Sequence, residues 1–161
     1  MDAGGRIIVL GVGNILLTDE GVGVRAIHEL EKMGFPENVE FIDGGTAGYG
    51  LIPMIEGAGK LIVVDAVDAR AKPGTIYRFT PEDVASDKKE PTTRFSLHEV
   101  GLIEALELAR LTGNECETIL FGIQPKSLEW GLELTPELEE KLPRLVELVA
   151  EEIKKTLEGG A

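Results

Sequence analysis

A chain of 161 residues, 43% apolar and 28% charged, is long enough to bury a core and too apolar to be disordered. Its formal net charge of −13 argues against nucleic-acid backbones, which need clustered Lys and Arg, and against anionic lipid surfaces. The single cysteine, Cys116, rules out an internal disulfide and a cysteine-based zinc site.

The N-terminal MDAGGRIIVLGVG carries one Arg and a short apolar run ending in glycines, so it reads as a first strand rather than a signal-peptide core. No stretch approaches the ~18 apolar residues of a membrane span. A single cytoplasmic domain over 1–161 is therefore expected. Residues 7–10 form a continuous apolar run stopped by Gly11, the pattern of a central strand buried on both faces. Val22, Ala26, Ile27 and Leu30 then fall on helical spacing, predicting a helix over about 21–33 that stops at Gly34. A second strand is expected over 39–42, ended by Asp43-Gly44-Gly45, and a helix over 47–55 that Pro53 can kink.

Residues 61–64 are the most apolar strand and end at Asp65. The stretch 75–79 follows after the turn Ala71-Lys72-Pro73-Gly74, too soon for a crossover helix, which favours an antiparallel strand. Residues 81–93 are polar and read as an exposed loop, after which Ser96 can cap a helix that begins near Leu97 and ends at Gly113. A last strand spans 118–123. Thr135-Pro136 opens a C-terminal helical region with apolar residues at 138, 142, 145, 149, 153 and 157, which Pro143 is expected to split in two. Alternating strands and helices predict an α/β domain with helices on both sheet faces.

If the first three strands are parallel, Asp19, Glu20, Asp43 and Asp65 all sit at one carboxyl edge. If the second and third strands flank the first on opposite sides, that edge holds a topological switch point, where open α/β sheets form their ligand crevice. Glu20 and Asp65 would then flank the crevice. His98, in the first turn of its helix, would approach the same edge. Two carboxylates and an imidazole suit a divalent metal with open positions. The structural alternative is that Asp19 or Glu20 caps a helix and that His98 is solvated. His28, beside an apolar stripe, reads as a structural residue.

The loop GVGNILLTDEGVG approaches the dinucleotide fingerprint, but Leu16 stands where its third glycine belongs, and Asp19 and Glu20 would face a pyrophosphate. Cys116 falls at the amino edge and Ser96 at a helix cap, so neither reads as a nucleophile. There is no Gly-x-Ser-x-Gly elbow and no His-Glu-x-x-His helix.

The segments GVGNILLTDEGVGVRAIHEL, DGGTAG, LIVVDAVDA, SLHEVGL and GIQPKSLEWG together resemble the hydrogenase maturation endopeptidases, in order and at similar spacing from about Ile7 to about Leu148. The resemblance implies a three-layer α/β/α sandwich around a mixed, mostly parallel five-stranded sheet of order 2-1-3-5-4. It implies nickel ligation by Glu20, Asp65 and His98, which would also carry catalysis. The implied activity is removal of a C-terminal extension from the hydrogenase large-subunit precursor after nickel insertion, the nickel being supplied by that precursor. Asp43, Gly44, Gly45 and Thr46 would line the peptide groove, or form a plain strand-to-helix turn. A monomer with no nucleic-acid or membrane partner is expected. The alternative function is a nickel-binding chaperone that recognises the precursor without cutting it.

Overall fold

The computed structural model describes residues 5–46, 50–86, 97–113 and 116–159, with the side chains of 84–86 and 97–101 outside the description. Five strands, β1 (Arg6–Val12), β2 (Val39–Gly45), β3 (Ala58–Ala66), β4 (Ile76–Phe79) and β5 (Glu117–Ile123), form one sheet in the order β2-β1-β3-β5-β4. All neighbours are parallel except β4, which runs antiparallel to β5. The short Pro73-Gly74 turn before β4 therefore does what its length requires, with Gly74 at φ +91°.

Period-two alternation sorts the strand side chains into two cores. Ile7 and Val9 of β1, Ile62 and Val64 of β3 and Phe121 of β5 pack on one face. There they meet α1 (Val22–Glu31) and α5 (Pro136–Gly159). Ile8, Leu10, Leu61, Val63 and Leu120 pack on the other, against α2 (Leu51–Ile55) and α4 (Leu97–Leu111). Strands apolar on both faces are what a sandwich of three layers demands. Among the described residues, no helix is long and apolar enough to cross a membrane.

Three expectations need correction. Residues 81–93 do not begin as a loop: Pro81–Ser86 is a helix, α3. Pro81 takes its first position, and Thr80 and Asp83 cap it reciprocally, with Thr80 N–H donating to Asp83 Oδ2 at 2.9 Å and Asp83 N–H to Thr80 Oγ1 at 3.3 Å. Residues 87–93 lie outside the described residues, as does Ser96. Nor does Pro143 split the C-terminal helix, because α5 runs unbroken through it. Pro143 and Glu139, whose carbonyl loses its donor, are both exposed, so water can satisfy that oxygen. The buried stripe of Leu138, Leu142, Leu145, Val149 and Ile153 holds both halves to the sheet. Finally, β2 does not stop at Ile42 but runs on through Asp43-Gly44-Gly45, paired with Gly11 and Val12. Of the helix expected over 47–55, residues 47–49 lie outside the described residues, and in Leu51–Ile55 Pro53 falls in the first turn, where no intrahelical N–H is needed.

Near the amino edge, Lys60 is 6% exposed. It donates to Glu117 at 3.0 Å and to Glu152 at 3.1 Å, while Arg78 Nε reaches Glu152 at 2.9 Å. Cys116 lies at that same edge, half-buried, and burial pushes its thiol up despite a contact with Thr118.

Candidate active site

The strand order turns the carboxyl edge into a crevice. β2 and β3 flank β1 on opposite sides, so α1 and α2 leave on opposite faces and the edge opens where they part. Gly23, in the first turn of α1, packs so closely that a Cβ there would lie 2.2 Å from the Val64 carbonyl oxygen and 2.8 Å from that of Val12. The helix start is thereby seated on the ends of β1 and β3.

Between β1 and α1 the chain makes a 3-10 turn, Thr18–Gly21. Neither Asp19 nor Glu20 caps a helix through its side chain, so the capping alternative does not describe them. Glu20, 8% exposed, turns back and accepts the Asn14 N–H on Oε1 at 3.2 Å. Asp65, 2% exposed at the end of β3, accepts the Ala66 N–H on Oδ1 at 2.7 Å. Gly13 lies between them. A Cβ there would sit 1.9 Å from the Glu20 carbonyl oxygen and 3.6 Å from Asp65 Oδ1, at a φ of +135°. Only glycine lets β1 end where the two carboxylate-bearing segments close on it.

The third sequence candidate, His98, is in the first turn of α4. Because α4 ends just before β5 begins at the amino edge, its first turn lies toward the carboxyl edge. It lies on the face to which Asp65 belongs by alternation with Leu61 and Val63. The His98 side chain is outside the described residues, and among the described residues no three His, Cys, Asp or Glu side chains form a group that could hold a metal ion. His28 is exposed on α1, away from this edge in sequence and element.

The 43–46 segment borders the same opening. Asp43 and Thr46 are exposed, Asp43 Oδ1 accepts the Gly45 N–H at 3.0 Å, and Gly45 O accepts the Gly13 N–H at 2.8 Å. Gly44 is buried inward, where a Cβ would meet the terminal methyls of Leu10 and Leu51 at 2.8 and 2.9 Å, so a side chain there requires both leucines to shift.

Sequence reasoning missed the role of Asp19. Fully buried, it accepts Lys126 N–H at 2.8 Å and Ser127 N–H at 3.0 Å on Oδ2, and Thr135 N–H at 2.8 Å on Oδ1. The Thr135 hydroxyl donates to the same carboxylate at 2.9–3.0 Å. Asp19 thus clasps the 126–135 loop to the glycine loop. The signal for it was the irregular run QPKSLEWG, whose backbone donors need a partner somewhere.

Comparison with known proteins agrees with this architecture. The family model described as hydrogenase maturation protease matches residues 24–152. The hydrogenase expression/formation protein HupD of Bradyrhizobium diazoefficiens is 39% identical over 150 residues, 91% of this chain and 77% of that protein. The hydrogenase 2 maturation protease of Escherichia coli is 38% identical over 154 residues, 94% of this chain and 92% of that one. The solved structure of the hydrogenase maturating endopeptidase HybD from E. coli superposes with a TM-score of 0.84 at 37% identity, covering 94% of this chain and 93% of that one.

Proposed function

The chain belongs to the hydrogenase maturation protease family, and we propose that it is an endopeptidase that removes the C-terminal extension of a nickel-containing hydrogenase large-subunit precursor once nickel is in place. What supports the reading most directly is the pair of buried carboxylates, Glu20 and Asp65, on either side of Gly13 at the switch point. Two carboxylates in a crevice, with a histidine on the first turn of the helix that borders it, make a donor set suited to a divalent first-row metal.

Nickel, in this reading, is part of the substrate and arrives held by the precursor's thiolates. Glu20, Asp65 and His98 complete its coordination, so productive docking depends on the metal having been inserted. A bound cation there supplies a Lewis acid beside the scissile bond. Either Glu20 or Asp65 can instead take the proton of an attacking water. The 43–46 segment lines the incoming peptide, with Asp43 and Thr46 offering polar side chains and the glycines keeping the wall low.

The test is to incubate the protein with nickel-loaded and nickel-free precursor and weigh the products by mass spectrometry. Shortening of the loaded form alone is expected. Equal cutting of both refutes the metal gate, and no cutting of either refutes the protease reading. His98→Ala should abolish cleavage with an unchanged melting temperature; a large stability loss would assign His98 to the core.

A further inference from the structure

We propose that an apolar platform beside the crevice, built by the 15–17 and 127–132 loops, is the surface on which the body of the precursor docks, and that it receives an apolar segment flanked by Lys or Arg. This rests on the precursor being the substrate. Among the described residues eight large hydrophobic side chains are exposed, and five of them, Ile15, Leu16, Leu128, Trp130 and Leu132, belong to these two loops. Trp130 is 80% and Leu132 68% exposed. Two paired loops that expose five large apolar side chains mark a surface meant to be covered, and the exposed Trp130 among them is the residue type that anchors protein interfaces.

The platform is ordered. Leu17 and Gly131 form a parallel bridge, Thr18 N–H donates to Gly131 O at 2.9 Å, and Gly131 N–H donates to Leu16 O at 2.9 Å. Asp19 N–H donates to Ser127 O at 3.1 Å, and the Asp19 carboxylate locks the same loop from below. A surface already fixed loses little freedom on binding.

Charge selects the occupant. A shallow, open depression of about 570 Å³ is lined by Thr18, Trp130 and Leu132 together with Glu129 and Glu133. Lys126 is engaged by Glu137, and the Arg25 guanidinium donates to the Leu132 carbonyl oxygen at 2.8 Å, which leaves two lining carboxylates against one guanidinium beside them. An apolar stripe rimmed by two exposed carboxylates complements a basic, apolar segment. It disfavours a second copy of this chain, which would bring its own Glu129 and Glu133 and a net charge of −13 against the same surface. Location supplies the use: the platform is tied to Asp19, the residue that precedes Glu20. A body seated on it is held at a set offset from the crevice, and remote contacts position the scissile segment.

Trp130 is the only tryptophan of the chain, so 5-fluorotryptophan labelling places a single 19F reporter on the platform. Addition of nickel-loaded precursor should shift and broaden that resonance. Replacing Trp130→Ala together with Leu132→Ser should raise KM for the precursor on the order of 10- to 100-fold, with kcat nearly kept. Glu129→Lys with Glu133→Lys should raise KM and abolish its salt dependence. If the wild-type protein shortens the precursor while the 19F signal stays put and the variants keep their KM, the docking surface is refuted and the protease reading stands. If the wild-type protein does not shorten the precursor, the protease reading falls and the docking proposal with it. A 19F shift that follows protein concentration alone, with dimers in sedimentation, assigns the platform to self-association and overturns the proposal.

Discussion

Replacing Asp19 by Asn keeps the volume of a buried side chain and removes its charge, and the structure gives the cost. Two oxygens of Asp19 receive three backbone N–H groups and one hydroxyl. An amide supplies one oxygen and turns an NH₂ toward donors that were accepted before. Whichever way it is flipped, at least one backbone N–H of Lys126, Ser127 or Thr135 faces another donor. Charge-assisted bonds of this kind contribute roughly 1.5–3 kcal/mol each, but they do not add, and removing one partner of a buried charged cluster costs about 3–5 kcal/mol. We expect Asp19→Asn to lose about 3 kcal/mol in urea unfolding, a fall of roughly 6–12 °C in Tm for a chain of this size. Hydrogen exchange should accelerate first at the Lys126, Ser127 and Thr135 amides. Thr135→Val, which deletes the hydroxyl and leaves the backbone donors, should cost only about 1 kcal/mol. A loss below about 0.5 kcal/mol for Asp19→Asn, or equal losses for the two variants, would refute the clasp.

Gly13→Ala should lower cleavage on the order of 100-fold, since its Cβ would collide with the Glu20 carbonyl and displace the segment bearing one carboxylate; steady-state kinetics on folded protein check it, and undiminished kcat would sink the geometry. Burial alone raises the Glu152 carboxyl, but hydrogen bonds and charge from Lys60 and Arg78 outweigh it and hold the group below the ordinary glutamate range. Its contribution to stability is therefore full above a pH of about 4.3 and is lost as pH falls through the lower, folded value. Glu152→Gln should flatten the acid limb of the stability curve, and an unchanged limb would exclude the network as its cause. Pro143→Ala should stabilise the protein by about 1–2 kcal/mol, the restored helix bond exceeding the lost stiffness of the unfolded chain; calorimetry showing a lower Tm would contradict that account.

The sheet was legible in the sequence because both of its faces are buried. Ile7 to Leu10 and Leu61 to Val64 have no polar residue to interrupt them, and such runs end where the carboxyl edge begins. Glu20 and Asp65 followed from that edge alone. What local reasoning misjudged depended on a competing term. Pro143 is a breaker by propensity, yet five buried apolar side chains on α5 outweigh its cost and its orphaned carbonyl faces water. The T-P-E-D sequence at 80–83 is a capping box whose polarity disguises it as a loop. Asp19 could not be assigned from local sequence because its partners are more than 100 residues away; the donor-rich run QPKSLEWG signalled that an acceptor was needed, not which one.

That distance also explains how two adjacent acidic residues come to do different work. A 3-10 turn advances about 120° per residue, so neighbours cannot face the same way. At Thr18–Gly21 this sends Asp19 toward the 126–135 loop and Glu20 back over the glycine loop toward Asn14 and Gly13. Each carboxylate is met by its own backbone N–H groups, which lets two like charges stand side by side in a buried turn. The arrangement couples the two: Glu20 is aimed only while Asp19 holds the turn, and Asp19 holds it only while the 126–135 loop is seated. Exchanging the pair, Asp19→Glu with Glu20→Asp, preserves charge and composition yet lengthens the clasp and shortens the reach toward Asp65. It should therefore lose both stability and cleavage. A swapped protein that melts and cuts like the wild type would mean that the turn does not assign these roles.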